Sequence, residues 1–257
     1  MNDKTDFALM PDLLDRLVTA RQVLVLTGAG MSAESGVPTF RDAQTGMWAR
    51  YRPEDLATPE AFERHPARVW NWYEERRKSV QQAEPHAGHQ ALVQMAAMLG
   101  SVRIVTQNVD GLHQLAGSKQ VVELHGNIIR SKCSVSHRPI SREWLQDSDE
   151  QPPPSPYVKH GKARPDVVWF GEVLPQEPLD EAMAAASHCD FCFSVGTTSL
   201  VQPAAGLPLL ALQNDAALVE INPVETPLSM HADQCIRGPA SGVLNTIIGQ
   251  LSDQLRF

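Results

Sequence analysis

The chain has 257 residues, room for one large domain or two small ones at roughly 150 residues each. Hydrophobic residues make up 42% and charged residues 20%, which excludes a disordered chain. With 22 Lys+Arg against 30 Asp+Glu the net charge is −8, a poor balance for gripping nucleic-acid phosphates or anionic lipid, so neither is expected as a partner. No apolar run reaches the ~18 residues of a membrane span. Met1-Asn2-Asp3-Lys4-Thr5-Asp6 lacks the basic and apolar parts of a secretory signal. Four cysteines are too few for a disulfide scaffold. Together these features predict a cytoplasmic protein.

The first predicted strand is Val23-Leu24-Val25-Leu26, an unbroken apolar run of the kind buried on both faces of a parallel sheet. Further runs follow at Val102-Arg103-Ile104-Val105, Val121-Val122-Glu123-Leu124, Val167-Val168-Trp169-Phe170, Phe191-Cys192-Phe193-Ser194-Val195 and Leu218-Val219-Glu220-Ile221. Helical patterns cover 90–99, 179–187 and 243–255. Strands alternating with helices predict an α/β fold with a doubly wound parallel sheet. Two segments break the rhythm. Residues 39–83 carry Trp48, Tyr51, Trp70, Trp72 and Tyr73, and residues 131–165 carry Pro152-Pro153-Pro154 with no convincing strand. The expected division is therefore 1–38, 84–130 and 166–257 in a Rossmann-like domain, with 39–83 and 131–165 in a smaller lobe built from two insertions.

Thr27-Gly28-Ala29-Gly30-Met31-Ser32-Ala33 follows the first strand. Gly28, Gly30 and Ala33 meet the G-x-G-x-x-G/A spacing that brings backbone close to a pyrophosphate at a helix N-terminus. A tight strand–helix turn has the same spacing. A hydride-transfer enzyme would add a second strand ending in Asp or Glu about 20 residues later, where this chain has loop-like Phe40-Arg41-Asp42-Ala43-Gln44-Thr45-Gly46.

The longer string Gly28-Ala29-Gly30-Met31-Ser32-Ala33-Glu34-Ser35-Gly36-Val37-Pro38-Thr39-Phe40-Arg41 resembles the signature of the sirtuins, NAD-dependent protein-lysine deacylases. Thr106-Gln107-Asn108-Val109-Asp110-Gly111-Leu112-His113, Glu123-Leu124-His125-Gly126 and Gly196-Thr197-Thr198-Ser199 follow in the family's order, and Val168-Trp169-Phe170-Gly171-Glu172 matches its substrate-strand motif. The resemblance implies an NAD co-substrate in a cleft between sheet domain and small lobe, an acyl-lysine protein or peptide entering opposite, and a monomer. Gly28, Ala29, Gly30, Phe40 and Arg41 would line the phosphates and nicotinamide ribose. Gln107, Asn108 and Asp110 would shape the nicotinamide pocket, with Asn108 counted beside His125 in the chemistry. Gly196, Thr197, Ser199, Asn222 and Ala240 would meet the adenosine half. Val168, Phe170 and Gly171 would bind the peptide.

His125 stands at the end of a predicted strand, where ligands of open α/β sheets bind, and its ordinary pKa of about 6.5 suits a base at neutral pH. A polar strand-end residue is the competing reading. By resemblance, the acyl oxygen attacks C1′ of the nicotinamide ribose, nicotinamide leaves, and His125 deprotonates a ribose hydroxyl that attacks the imidate carbon. Lysine, nicotinamide and O-acyl-ADP-ribose result. His86, His89 and His113 are expected to cap or pack.

Tyr73 and Arg76 lie three apart and share a face if their segment is helical. With Ala57 before them they resemble the sirtuin branch that removes succinyl, malonyl and glutaryl groups, where such a pair binds the acyl carboxylate and a small residue leaves room for the chain. Guanidinium matches carboxylate bidentately and a phenol adds a further donor. The competing reading has Tyr73 packing and Arg76 paired with a glutamate at the surface. Acetyl removal is expected alongside. The whole-chain alternatives are a protein ADP-ribosyltransferase or NAD-cleaving enzyme, and a weakly active NAD-binding module.

Most sirtuins hold a structural zinc between two Cys-x-x-Cys pairs. Here Cys133 stands at the first position, Ser136 replaces its mate, and no cysteine lies between Ser136 and Val167. One thiolate is short of the four ligands a structural zinc takes, so no metal is expected, with a Cys133/His137/His160 site completed by Asp147 or Asp149 as the alternative. Cys189, Cys192 and Cys235 read as small buried hydrophobes.

Overall fold

A computed structural model describes residues 7–37 and 51–256. Phe40, Arg41 and Trp48 lie outside the described residues. Proline at the first position opens α1 (Pro11–Thr19), where its missing N–H has no intrahelical role, and Leu13 and Leu17, four apart, bury one face. β1 (Val23–Thr27) follows and is buried along its whole length. After it the Gly28 segment forms two short 3-10 turns, Ala29–Met31 and Ala33–Ser35, in place of the α-helix that the glycine spacing suggested.

Next come α2 (Pro59–Arg64), capped by the Thr58 hydroxyl, and α3 (Pro66–Gln82). α4 (Ala87–Leu99) begins at His86, whose Nδ1 accepts the Gly88 N–H while His89 Nδ1 accepts the His86 N–H. That is the capping role expected of His86. β2 (Val102–Thr106), α5 (Leu112–Ala116) and β3 (Val121–Glu123) complete the first half. β4 (Gly126–Cys133), β5 (Pro139–Ile140), α6 (Arg142–Gln146) and β6 (Ala163–Val167) form the lobe segment. α7 (Gln176–His188), β7 (Phe191–Val195), α8 (Leu207–Gln213), β8 (Ala217–Ile221), β9 (Gln234–Ile236) and α9 (Ala240–Gln254) close the chain.

The main sheet has six strands in the order β3-β2-β1-β7-β8-β9, all parallel. Alternate residues of β1 serve opposite faces. Val23 and Val25 join the core with α1, α4 and α9, whereas Leu24 and Leu26 join Ala182 and Ala186 of α7 and Leu207 and Ala211 of α8. Two buried faces explain why its sequence is apolar without alternation. The chain winds outward from β1 to β3, returns, and winds the other way from β7, so strand order reverses between β1 and β7. Open α/β sheets bind ligands at that point, outside the carboxyl ends.

The second sheet corrects two expectations. The 131–165 segment does contain strand: β5-β4-β6 make an antiparallel three-stranded sheet. The strand expected at Val167-Phe170 is shifted, because β6 ends at Val167 and pairs with β4 rather than with the main sheet. Pro165 and Asp166 interrupt the apolar pattern there, and an edge strand such as β6 tolerates that proline. Beyond β6, the Val168 N–H donates to His125 O at 2.9 Å and the Phe170 N–H to Ala57 O at 3.0 Å.

Candidate active site

Three glycines fix the floor of the crevice. A Cβ on Gly28 would stand 2.8 Å from Gly196 O, and one on Gly30 2.7 Å from Gly196 Cα. Gly196 itself has φ +60°, and the Gly30 N–H donates to its carbonyl at 2.8 Å. The loops after β1 and β7 therefore interlock backbone to backbone, and the glycines are required by that contact before any ligand is considered.

Polar side chains are stitched across this floor. Asn108 Nδ2 donates to Gly28 O at 3.0 Å and to Ser32 Oγ at 2.9 Å. Ser32 Oγ donates in turn to Asp110 Oδ2 at 2.7 Å, and the other Asp110 oxygen accepts the Leu112 N–H. Burial pushes the Asp110 carboxyl up from its ordinary range, opposed by these bonds. Gln107 Nε2 reaches Thr197 Oγ1 at 3.1 Å. Ser32 was not singled out from the sequence, although it lies in the quoted signature. Its contact to Asn108 comes from another strand end.

His125 follows β3 by two residues. Its Nδ1 lies 3.0 Å from Gln107 O, and a carbonyl only accepts, so Nδ1 carries the proton and Nε2 presents its lone pair. Burial lowers the imidazole's pKa, opposed by that carbonyl bond. The ring is thus neutral at pH 7 with a defined tautomer, the state a general base requires.

Toward β8, Asn222 Nδ2 donates to Thr197 O at 2.7 Å, and Ser199 sits at φ +55° with its N–H on Thr197 Oγ1. The Ser199 hydroxyl is buried without a hydrogen-bond partner, an open polar position at this end of the crevice. Ala240 opens α9, and the next residue, Ser241, binds the Glu34 carboxylate through both its N–H and its hydroxyl. That link carries Ala240 to the glycine loop.

On the lobe side, Ala57, Tyr73 and Trp169 share one core with Leu56, Phe62, Val69, Trp72 and Ile128. Tyr73 is buried and its hydroxyl accepts the Trp169 indole N–H at 3.1 Å. Burial pushes the phenol up to about 12, against the pull of Arg76 and the indole bond, so it stays protonated. Arg76 lies half-buried with its guanidinium 4.8 Å over the Trp72 ring. Burial lowers its pKa, and neighbouring Tyr73 acts in the opposite sense. The neighbouring arginine takes a different part: Arg77 pairs with Glu74 and donates to Ile128 O at 2.7 Å. Phe170 and Gly171 are exposed and Val168 half-buried, with Gly171 at φ +86°. A small cavity of about 130 Å³ lined by Gln22, Ser101, Arg103 and Cys189 opens at the amino ends of β1 and β2, the end away from these groups.

The family's zinc does not match the residues in this lobe. Cys133 Sγ accepts the N–H groups of Val135 and Ser136 at 3.5 and 3.4 Å, and Gly161 brings Cys133, Ser155 and Val158 together. Burial pushes this thiol up, but bonds from Ser136, Ser155 and Val135 outweigh it and bring it to about 7. One sulfur, two hydroxyls and an isopropyl group are not a tetrahedral zinc set. Among the described residues no three His, Cys, Asp or Glu side chains converge as metal ligands, and His137 and His160 are exposed. Cys189 and Cys192 are buried with raised pKa values, whereas Cys235 is only partly buried.

A parallel sheet with a polar crevice at its switch point, a neutral histidine at the strand ends and a second lobe define a doubly wound α/β protein with a candidate base in its crevice. Comparison with known proteins agrees. The model of the Sir2 family matches residues 28–203. NAD-dependent protein deacylase 1 of Pseudomonas aeruginosa is 45% identical over 246 residues, covering 93% of this chain and 98% of its own. A solved Sir2 homologue in complex with NAD is 41% identical, with TM-score 0.87 and 96% of each chain covered. A Sir2 protein solved with a deacetylated peptide and 3′-O-acetyl-ADP-ribose is 31% identical, with TM-score 0.81 and 95% of this chain and 98% of that one covered. The chain belongs to the Sir2 family. Among the described residues no helix is long and apolar enough to cross a membrane.

Proposed function

We propose that this chain is an NAD-dependent protein-lysine deacylase that prefers acyl groups ending in a carboxylate, such as succinyl and malonyl, and also removes acetyl. The Sir2 membership and the deacylase relatives support the general activity. The observation that carries the acyl preference is the placement of Tyr73 and Arg76 three residues apart on one face of α3, with small Ala57 in the same core as Tyr73.

In this reading His125 Nε2 takes the proton of a ribose hydroxyl once nicotinamide has left, and the Gln107 carbonyl holds the ring in the tautomer that allows it. Asn108, Ser32 and Asp110 keep the nicotinamide pocket rigid. Thr197, Ser199, Asn222 and Ala240 take the adenosine half. The segment from Val168 to Gly171, with Phe170 and Gly171 exposed, adds the peptide as a strand, and Arg76 and Tyr73 bind the distal carboxylate, worth about 1.5–3 kcal/mol or about tenfold to a hundredfold in preference. The lobe formed around β4–β6 holds together by the Cys133 hydrogen bonds and its own packing, without zinc.

The test is kcat/KM with NAD on one lysine peptide carrying succinyl or acetyl, for the wild type and Arg76→Met. A succinyl preference that the substitution abolishes is the expected result. Equal rates unchanged by Arg76→Met make the pair structural. Free ADP-ribose or ADP-ribosylated protein in place of O-acyl-ADP-ribose favours the NAD-cleaving alternatives, and NAD binding without turnover favours a binding module.

A further inference from the structure

A buried indole needs an acceptor for its N–H, which can only donate. Trp169 finds its acceptor in the Tyr73 hydroxyl, 3.1 Å away between two buried side chains. Accepting that bond occupies a lone pair of the phenol oxygen, so the Tyr73 hydrogen must point away from the indole. The hydroxyl is thereby presented to its surroundings as a donor.

Trp169 is itself held from several sides. The Arg164 guanidinium lies 3.4 Å over its ring and Phe62 packs 5.2 Å from it. Arg164 forks onto Glu172 at 2.5 and 2.8 Å and also donates to Val167 O at 3.0 Å. Glu172 Oε2 accepts the backbone N–H of Trp169 at 2.8 Å. One ion pair therefore fixes ring and backbone of the same residue. Burial pushes the Glu172 carboxyl up, but Arg164 and the Trp169 N–H outweigh it and hold it below the usual carboxylate range, so the pair stays ionised. Nothing in the deacylation chemistry uses these three side chains.

We propose that Trp169, clamped by Arg164 and Glu172, is a positioning residue for acyl specificity, orienting the Tyr73 hydroxyl as a hydrogen-bond donor to the distal carboxylate of an acidic acyl-lysine. An ionised carboxylate only accepts, and a phenol whose hydrogen is already directed away from the indole meets it as a donor without the orientational cost that a freely turning hydroxyl carries. The inference rests on the acidic-acyl reading above. Its effect falls on succinyl and not on acetyl, which has no distal group to orient.

The experiment measures KM, kcat and the succinyl-to-acetyl ratio of kcat/KM, with NAD and one lysine peptide in the two acylated forms. The variants are Trp169→Phe, Tyr73→Phe, their combination, Glu172→Gln and Arg76→Met. Trp169→Phe is expected to lower the ratio about two- to tenfold through a higher KM for the succinyl peptide, and to add nothing in the Tyr73→Phe background. Glu172→Gln loosens the clamp from outside the pocket and is expected to lower the ratio in the same direction, which keeps the test open if Trp169→Phe does not fold. A ratio unchanged by Trp169→Phe and Glu172→Gln overturns the proposal, as does a Trp169→Phe loss that recurs in full without the Tyr73 hydroxyl. Succinyl preference lost in Arg76→Met but kept in Trp169→Phe refutes this proposal alone. A wild type with no such preference refutes the acidic-acyl reading and this proposal together.

Discussion

At the carboxyl ends of β1 and β7 the site is held largely by backbone: three glycines let two loops touch, and Asn108, Gln107 and Asn222 reach carbonyls or a short hydroxyl across the gap. On the lobe side it is held by side chains: the Trp169 indole donates to the Tyr73 phenol, and the Arg164 and Arg76 guanidinium groups lie over the Trp169 and Trp72 rings. The first arrangement follows from strand order, since any sheet that reverses direction leaves such a crevice. The second depends on which side chains a helix and a loop bring into contact. Chemistry shared by a family fits the backbone-held region, and acyl choice fits the side-chain-held one.

The comparison breaks hardest at His125. His125→Ala is expected to lower turnover about 10²–10⁴-fold while NAD binding, followed by calorimetry, changes little, because the imidazole serves the proton and not the crevice. In the wild type, burial lowers this pKa, so the acid limb of the kcat/KM profile should fall below pH ~6.5. A limb well above that value would mean that another group is titrating.

At the other region, Arg76→Met should lower the succinyl-to-acetyl ratio about tenfold to a hundredfold, read from competition between two peptides. A smaller effect follows from the backbone interlock. Gly196→Ala meets both a left-handed φ and the Gly30 backbone, so urea unfolding should show a loss of about 1–3 kcal/mol together with weaker NAD binding.

Acid should weaken the sheet side in particular. Burial holds His89 near 3 and His113 near 4, well below the ordinary value, each helped by neighbouring histidine charge. The unfolded chain takes up these protons near pH 6.5 and the folded one only near 3 to 4. The stability is thus fully present above pH ~6.5 and is lost on acidification at about 1.4 kcal/mol per pH unit for each ring. Urea midpoints from pH 7 to 4.5 measure it, and His89→Gln should shallow the slope. The smallest expected effect is none: prolonged chelation should leave the melting temperature of the lobe unchanged, and a drop of several degrees would restore a metal to it.

Much of the sheet was legible because burial on both faces writes an unbroken apolar run, as in Val23-Leu24-Val25-Leu26, and strands of this kind need no partner to be recognised. β6 was misplaced because its alanine, arginine, proline and aspartate read as irregular, and only pairing with β4 makes them a strand. β9, three residues at an edge, carried no pattern of its own. The glycine spacing points to a strand–helix turn that a pyrophosphate can approach, whereas the same residues form two 3-10 turns and the close approach in the structure is between the loops after β1 and β7.

By itself the sequence determined the parallel α/β class, the family, and the identity of His125, Asn108, Tyr73 and Arg76 as the residues to watch, since each sits in a local string. Only the tertiary structure decided the tautomer of His125, the bond from Ser32 to Asp110, and the hold of Arg164 and Glu172 on Trp169. The first two join residues 18 and 78 positions apart, and the Trp169–Tyr73 bond that the clamp supports spans 96; no local pattern encodes which carbonyl or hydroxyl a buried donor will meet.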